Sequence, residues 1–129
     1  MNESIPGDDS ALLERVRGRL FDLSQDVRYV AVYRKGKLET AARPGLTGAS
    51  SSESDKYEEI IVNPTLLTLL RQRGGIDCGG LHYVVVRYGN FFQFIQPIPG
   101  GHISIALEPT SNYERLLPRI RQLVSGELS

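Results

Sequence analysis

Cys78 and His82 stand four residues apart in the stretch Asp77-Cys78-Gly79-Gly80-Leu81-His82. A thiol beside an imidazole is the pairing from which a cysteine nucleophile is built. The thiolate needs a nearby base or positive dipole, and the base needs a third group to orient it. This spacing fixes no such approach, because Cys78 falls in a glycine-rich connector and His82 in an extended run. A lone cysteine before a strand is expected to be a small buried apolar side chain. Cys78, His82 and His102 also include metal-ligand types, yet no CxxC or HxxxH spacing gathers them. The two histidines are expected to be strand residues with hydrogen bonds. No catalytic residue, metal or cofactor is expected.

Gly74-Gly75, Gly79-Gly80 and Gly100-Gly101 are glycine pairs. None belongs to a GxGxxG or GxxxxGK[ST] loop that would cradle phosphates, so they read as helix stop, connector and turn. Arginine outnumbers lysine twelve to three. Arg15, Arg17 and Arg19, with Arg115, Arg119 and Arg121, form a basic stripe if the first and last helices lie side by side. Arginine suits carboxylate and phosphate, but Glu14, Asp22 and Glu114 interleave with these residues, as on a solvated helix face. Phe91, Phe92 and Phe94 lack the flanking cations of a base-stacking sheet and read as core.

The elements that position these residues follow from their periods. Pro6 to Ser10 opens a helix over about 10–24, with Leu12, Leu13, Val16, Leu20 and Leu23 on one side. Residues 1–9 are expected to be a flexible N-terminus. A short β-branched and aromatic run over 28–34, the turn Lys35-Gly36-Lys37 and a return over 38–43 make a hairpin. Residues 44–55, rich in serine and glycine, read as a mobile loop. Asp55-x-x-Glu58 fits a capping box, so a second helix is expected over 56–73, kinked at Pro64 and stopped by Gly74-Gly75. Its residues Ile61, Leu66, Leu69 and Leu70 fall roughly on one side. Period two then returns over 81–88, 91–98 and 102–108, a three-stranded meander turned by Gly89-Asn90 and Pro99-Gly100-Gly101. Ser111-x-x-Glu114 opens a last helix through Val124, with Pro118 inside it, and 126–129 are expected to be a tail.

The chain has 129 residues, the length of one domain, with 10–125 as its folded part. Its composition is 40% hydrophobic and 23% charged, with a formal net charge of +0. That balance gives no global field for nucleic acid or a membrane surface. The longest apolar runs fall far short of the ~20 residues a membrane helix needs. One cysteine forms no internal disulfide, and the polar start is no secretory signal, so a cytoplasmic protein is expected.

The order helix, two strands, helix, three strands, helix resembles the Roadblock/dynein-light-chain family. The run Ile103-Ser104-Ile105-Ala106-Leu107-Glu108-Pro109 before a final amphipathic helix, and Gly79-Gly80-Leu81 entering an apolar strand, strengthen the likeness. Pro64 and Pro118 depart from the family pattern. The resemblance implies an α+β, profilin-like αββαβββα fold, with a five-stranded, mostly antiparallel sheet. It places the first and last helices on one face and the second on the other. It further implies a non-enzymatic platform that dimerises through the third strand and second helix, several prokaryotic members regulating small Ras-like GTPases.

The residues point the same way on one matter. Leu81, Tyr83 and Val85 alternate with His82, Val84, Val86 and Tyr88, so this strand is apolar or amphipathic on both sides. The expected homodimer surface is Leu66, Leu67, Leu70, Leu81, Tyr83, Val84, Val85, Val86 and Tyr88. The other expectation is a profilin-like sensor that binds a small ligand between sheet and second helix, with Tyr57, Tyr83 and Phe92 lining the pocket. A cavity with convergent polar groups would favour it; a filled core and a paired edge strand would favour the dimeric scaffold.

Overall fold

Phe92, Phe94 and Ile98 alternate with Gln93 and Ile95 along one strand, and this period of two sorts the sheet into unlike faces. The structure, a computed structural model, describes residues 4–46 and 48–128. Five strands form one antiparallel sheet: β1 (Val27–Arg34), β2 (Lys37–Ala42), β3 (Val84–Arg87), β4 (Phe92–Ile98) and β5 (Gly101–Leu107). Their order is β2-β1-β5-β4-β3, which leaves β2 and β3 as edges. In register, Val30 lies against Ile105, Ile105 against Phe94, and Phe94 against Val85.

That row belongs to the apolar face. Helices α1 (Ser4–Leu23) and α4 (Tyr113–Leu128) cover it, with Val16 and Leu20 from one and Ile120 and Val124 from the other fully buried. Each such side chain stabilises the fold by about 1.5–3 kcal/mol relative to exposure. The helix expected from residue 10 therefore begins at Ser4: a proline near the first turn costs no interior bond, so Pro6 does not delay the start. Residues 4–9 are helical rather than a flexible lead, and residues 1–3 lie outside the described part. Arg43 fixes the other end of α1, donating to the carbonyls of Phe21 at 2.5 Å and Ser24 at 2.8 Å.

The opposite face carries a single helical rod in three segments. Helix α2 (Ser52–Tyr57) passes into a π turn (Glu58–Val62) and then into α3 (Asn63–Asp77). Ser51 is the cap, its hydroxyl accepting from Ser54 N at 3.1 Å. Asp55 is not the cap; its carboxylate instead accepts from Ser50 Oγ at 2.5 Å. Pro64 sits in the first turn of α3, where its missing N–H breaks no ladder, and the wide turn before it absorbs the proline. Asn63 N bonds Glu58 O, five residues back, as a π turn requires.

Gly74-Gly75 does not stop this rod. Gly79 and Gly80, at φ 80° and 88°, end it, and Gly80 N reaches back to Gly74 O at 3.0 Å. Strand β3 is shorter than the expected 81–88. Continuing its register would place His82 opposite Pro97, which has no N–H to offer a ladder. Helix α4 starts after Asn112, whose side chain accepts from Arg115 N at 3.2 Å, while the expected cap Ser111 leaves its hydroxyl without a partner. It continues to Leu128, which is buried in the core, so 126–128 are not a loose tail.

Candidate functional site

The face beneath the rod is polar at its centre. Tyr29, Gln93, His102 and Ser104 project from β1, β4 and β5 toward Glu59 and Asn63. Glu59 and Asn63 are four residues apart and so share one side of the helical rod. Both are completely buried. Glu59 Oε1 lies 2.8 Å from His102 Nε2 and accepts from Asn63 Nδ2 at 3.0 Å. Gln93 Nε2 approaches Glu59 Oε2 at 3.5 Å and also donates to Ser104 Oγ. A carboxylate withdrawn from water costs several kcal/mol unless it is paired and hydrogen-bonded. These partners meet that cost, and they lock rod and sheet into one arrangement.

Glu59 and Gln93 reach from this network to the wall of a cavity of about 410 Å³. The cavity lies between α2, the π turn, the sheet and the loop leading from β2. Leu46, Ala49 and Ser50 of that loop form its outer wall, and Asn90 Nδ2 holds the loop through Gly48 O at 3.3 Å. Tyr29, Tyr57, Tyr88 and Phe91 supply the rings. Asp55 and Glu58 add two carboxylates beside Glu59.

The acids of this cavity meet hydroxyls. Glu58 accepts from Tyr88 Oη at 3.0 and 3.1 Å, and Asp55 from Ser50 Oγ. Burial pushes both carboxyls above their ordinary range, and the nearby Glu59 charge adds to the effect. Tyr88 is pushed up to about 12, first by burial and then by Glu58. Tyr29 is raised further, by burial and then by the charges of Glu59, Asp55 and Glu58. Its buried hydroxyl makes no hydrogen bond of normal geometry. Arg28 is the basic residue of the wall, and it is engaged elsewhere. Its Nη1 pairs with Glu108 Oε1 at 3.1 Å, with its guanidinium carbon 5.8 Å from the Phe91 ring centroid.

Of the residues expected to line a pocket, Tyr57 does so. Tyr83 and Phe92 do not: they project from the other face, against Phe94 and Tyr113 respectively. The alternation along β3 and β4 puts them there. Cys78 is exposed at the end of α3 rather than buried, and its Sγ lies 3.5 Å from Asp77 Oδ1. His82 is exposed too. His102 is the histidine with a built environment. No group of three or more His, Cys, Asp or Glu among the described residues is arranged to hold a metal ion.

The expected self-association residues divide. Leu67 is buried within the chain, so it belongs to the rod's inner side rather than its surface. Leu66, Leu70, Leu81, Val84, Val85 and Val86 are half-buried, with Val85 packed against the core, while Tyr83 and Tyr88 are exposed. Leu69 and Ile76, outside the expected set, are 60% and 76% exposed. The π turn shifts the rod's phase, which a helix wheel run straight through Pro64 cannot register. The basic stripe is largely spent within the chain: Arg15 and Arg19 pair with Glu127 at 3.0 and 2.5 Å, and Arg121 lies over Tyr83.

The central network was detectable only as polar residues interrupting apolar runs, Gln93 between Phe92 and Phe94, Ser104 between Ile103 and Ile105. Glu59 gave no such sign. The chain matches no protein-family model and no curated protein. No helix among the described residues is long and apolar enough to cross a membrane.

Proposed function

We propose that this chain is a non-catalytic interaction module of Roadblock type, with a profilin-like fold, that pairs with a second copy of itself. The observation that carries this reading is the unlike guarding of the two sheet edges. β2 carries Lys37 and Glu39, the charges that protect an edge from pairing. β3 is Val84-Val85-Val86-Arg87, flanked by exposed Tyr83 and Tyr88, and pairs on one side with β4 alone. A strand that meets its own copy across a two-fold axis does so antiparallel, which would join the two sheets into one. Exposed Leu69 and Ile76, seven residues apart on α3, offer side chains to pack beside such a ladder.

Further support for the profilin-like reading comes from the helices, α1 and α4 on one face and the α2–α3 rod on the other. A small Ras-like GTPase is the partner class that the resemblance suggests, in the cytoplasm. Light scattering tests the reading: the expected result is twice the chain mass at micromolar concentration, and a monomer at that concentration overturns it.

A second reading is favoured by the cavity. A space of about 410 Å³ with rings on its walls and polar groups converging on it has the size and make-up of a small-molecule site. On this reading the module binds a small ligand between sheet and rod.

A further inference from the structure

We infer that the cavity takes a small organic cation, an ammonium group carried on an apolar or aromatic body. The inference rests on the small-ligand reading of the cavity and adds the chemistry of the ligand. Asp55 and Glu58 stand at the wall with hydroxyls as their hydrogen-bond partners, and no basic side chain pairs with either among the described residues. The wall's arginine already has Glu108 as its partner. The space therefore holds more negative than positive charge. A cation entering it supplies the missing counter-charge.

The rings narrow the choice further. Tyr29, Tyr57, Tyr88 and Phe91 present aromatic surface to the same space as the carboxylates. Ring faces attract a weakly hydrated ammonium and give it van der Waals contact at once. A divalent metal ion would need three or more converging ligands, and no such group is present among the described residues. An anion would face Asp55, Glu58 and Glu59 together. The Tyr29 hydroxyl oxygen offers an acceptor for an ammonium N–H at the buried end.

The test uses three ligands of one shape and different charge: 2-phenylethylammonium, 2-phenylethanol and 3-phenylpropionate. The full chain, labelled with nitrogen-15, is titrated with each at pH 7 and the backbone amides of Tyr88, Phe91 and Gln93 are followed. The ammonium is expected to bind about tenfold more tightly than the alcohol, with the propionate weakest. Asp55→Asn with Glu58→Gln is expected to erase that preference while preserving the native spectrum. Should the double variant lose its fold, Glu58→Gln alone must reduce the preference about threefold. Equal or tighter binding of the alcohol or the propionate overturns the cation assignment and leaves the small-ligand reading standing. Shifts from none of the three, or shifts confined to residues away from the cavity, overturn both.

Discussion

Glu59 Oε1 and His102 Nε2 lie 2.8 Å apart with side chains 1% and 2% exposed, joining the π turn to the start of β5. One proton lies between them, whichever atom holds it. Removing either partner strands a buried polar group, whereas removing both leaves a space that apolar side chains can fill. Glu59→Ala and His102→Ala are each expected to cost about 3–5 kcal/mol. Glu59→Leu with His102→Leu is expected to cost clearly less than the two leucine single changes added together. Urea denaturation of the set measures this. Additive costs would show that the pair does not act as a unit.

The strands were legible because side-chain alternation survives wherever one face is buried. Ile103, Ile105 and Leu107 announce β5, and the structure puts all three in the core. The rod was harder. Its cap moved from Asp55 to Ser51, and its end from Gly74-Gly75 to Gly79-Gly80, because several serines and glycines compete locally and tertiary packing chooses among them. Gly74 stays helical since it is the close contact with the Gly80 backbone, not the breaker. The cavity was legible in part. Tyr57 is legible there, but the acids are not, because Asp55 and Glu58 read as a capping box, whereas Ser51 is the cap and both acids lie inside the rod at the cavity wall.

The self-association surface gives a prediction on exposed residues, where unfolding is not the obvious outcome. Leu69→Glu and Ile76→Glu change side chains that are 60% and 76% exposed in the single chain. Each is expected to alter monomer stability by about 0.5 kcal/mol or less and to weaken pairing at least about tenfold. Size-exclusion chromatography with light scattering reads the second effect, and thermal melting at low concentration reads the first. A dimer that survives both changes yet dissociates on changing exposed residues of α1 or α4 would place the interface on the other face.

Acidity should act on the cavity against the usual direction. The carboxyls of Asp55 and Glu58 sit above their ordinary range in the fold, mainly through burial. A raised carboxyl means that the fold binds its proton more readily than the unfolded chain does. Their contribution is therefore fully present below the unfolded values and is lost as pH rises through the folded ones. Asp55→Asn with Glu58→Gln removes that loss, and the double variant should be the more stable protein at pH 7 by on the order of 1 kcal/mol, solvent screening keeping the gain small. The difference should shrink toward zero as pH falls below the ordinary carboxylate range, where both carboxyls are protonated in the folded and the unfolded parent alike. A gap that widens on acidification would mean that the fold stabilises these carboxylates.

Two glycines next to one another on α3 provide the sharpest test of the rod's ending. A Cβ on Gly74 would lie 3.3 Å from the backbone carbonyl carbon of Gly80, whereas one on Gly75 meets nothing within 4 Å. Both are helical, so alanine offers the same gain at each through a less flexible unfolded chain and better helix propensity. Gly75→Ala should therefore stabilise the protein by about 0.5–1 kcal/mol. Gly74→Ala starts from the same gain but must push the Gly79-Gly80 turn away, and that turn holds the hydrogen bond from Gly80 N to Gly74 O at 3.0 Å. Backbone yields less readily than a side-chain tip, so Gly74→Ala is expected to be destabilising by about 1 kcal/mol or more. Chemical denaturation of the two variants side by side decides the matter. If both stabilise equally, the chain after Asp77 does not fold back onto Gly74, and the helix ends without the contact that turns it toward β3.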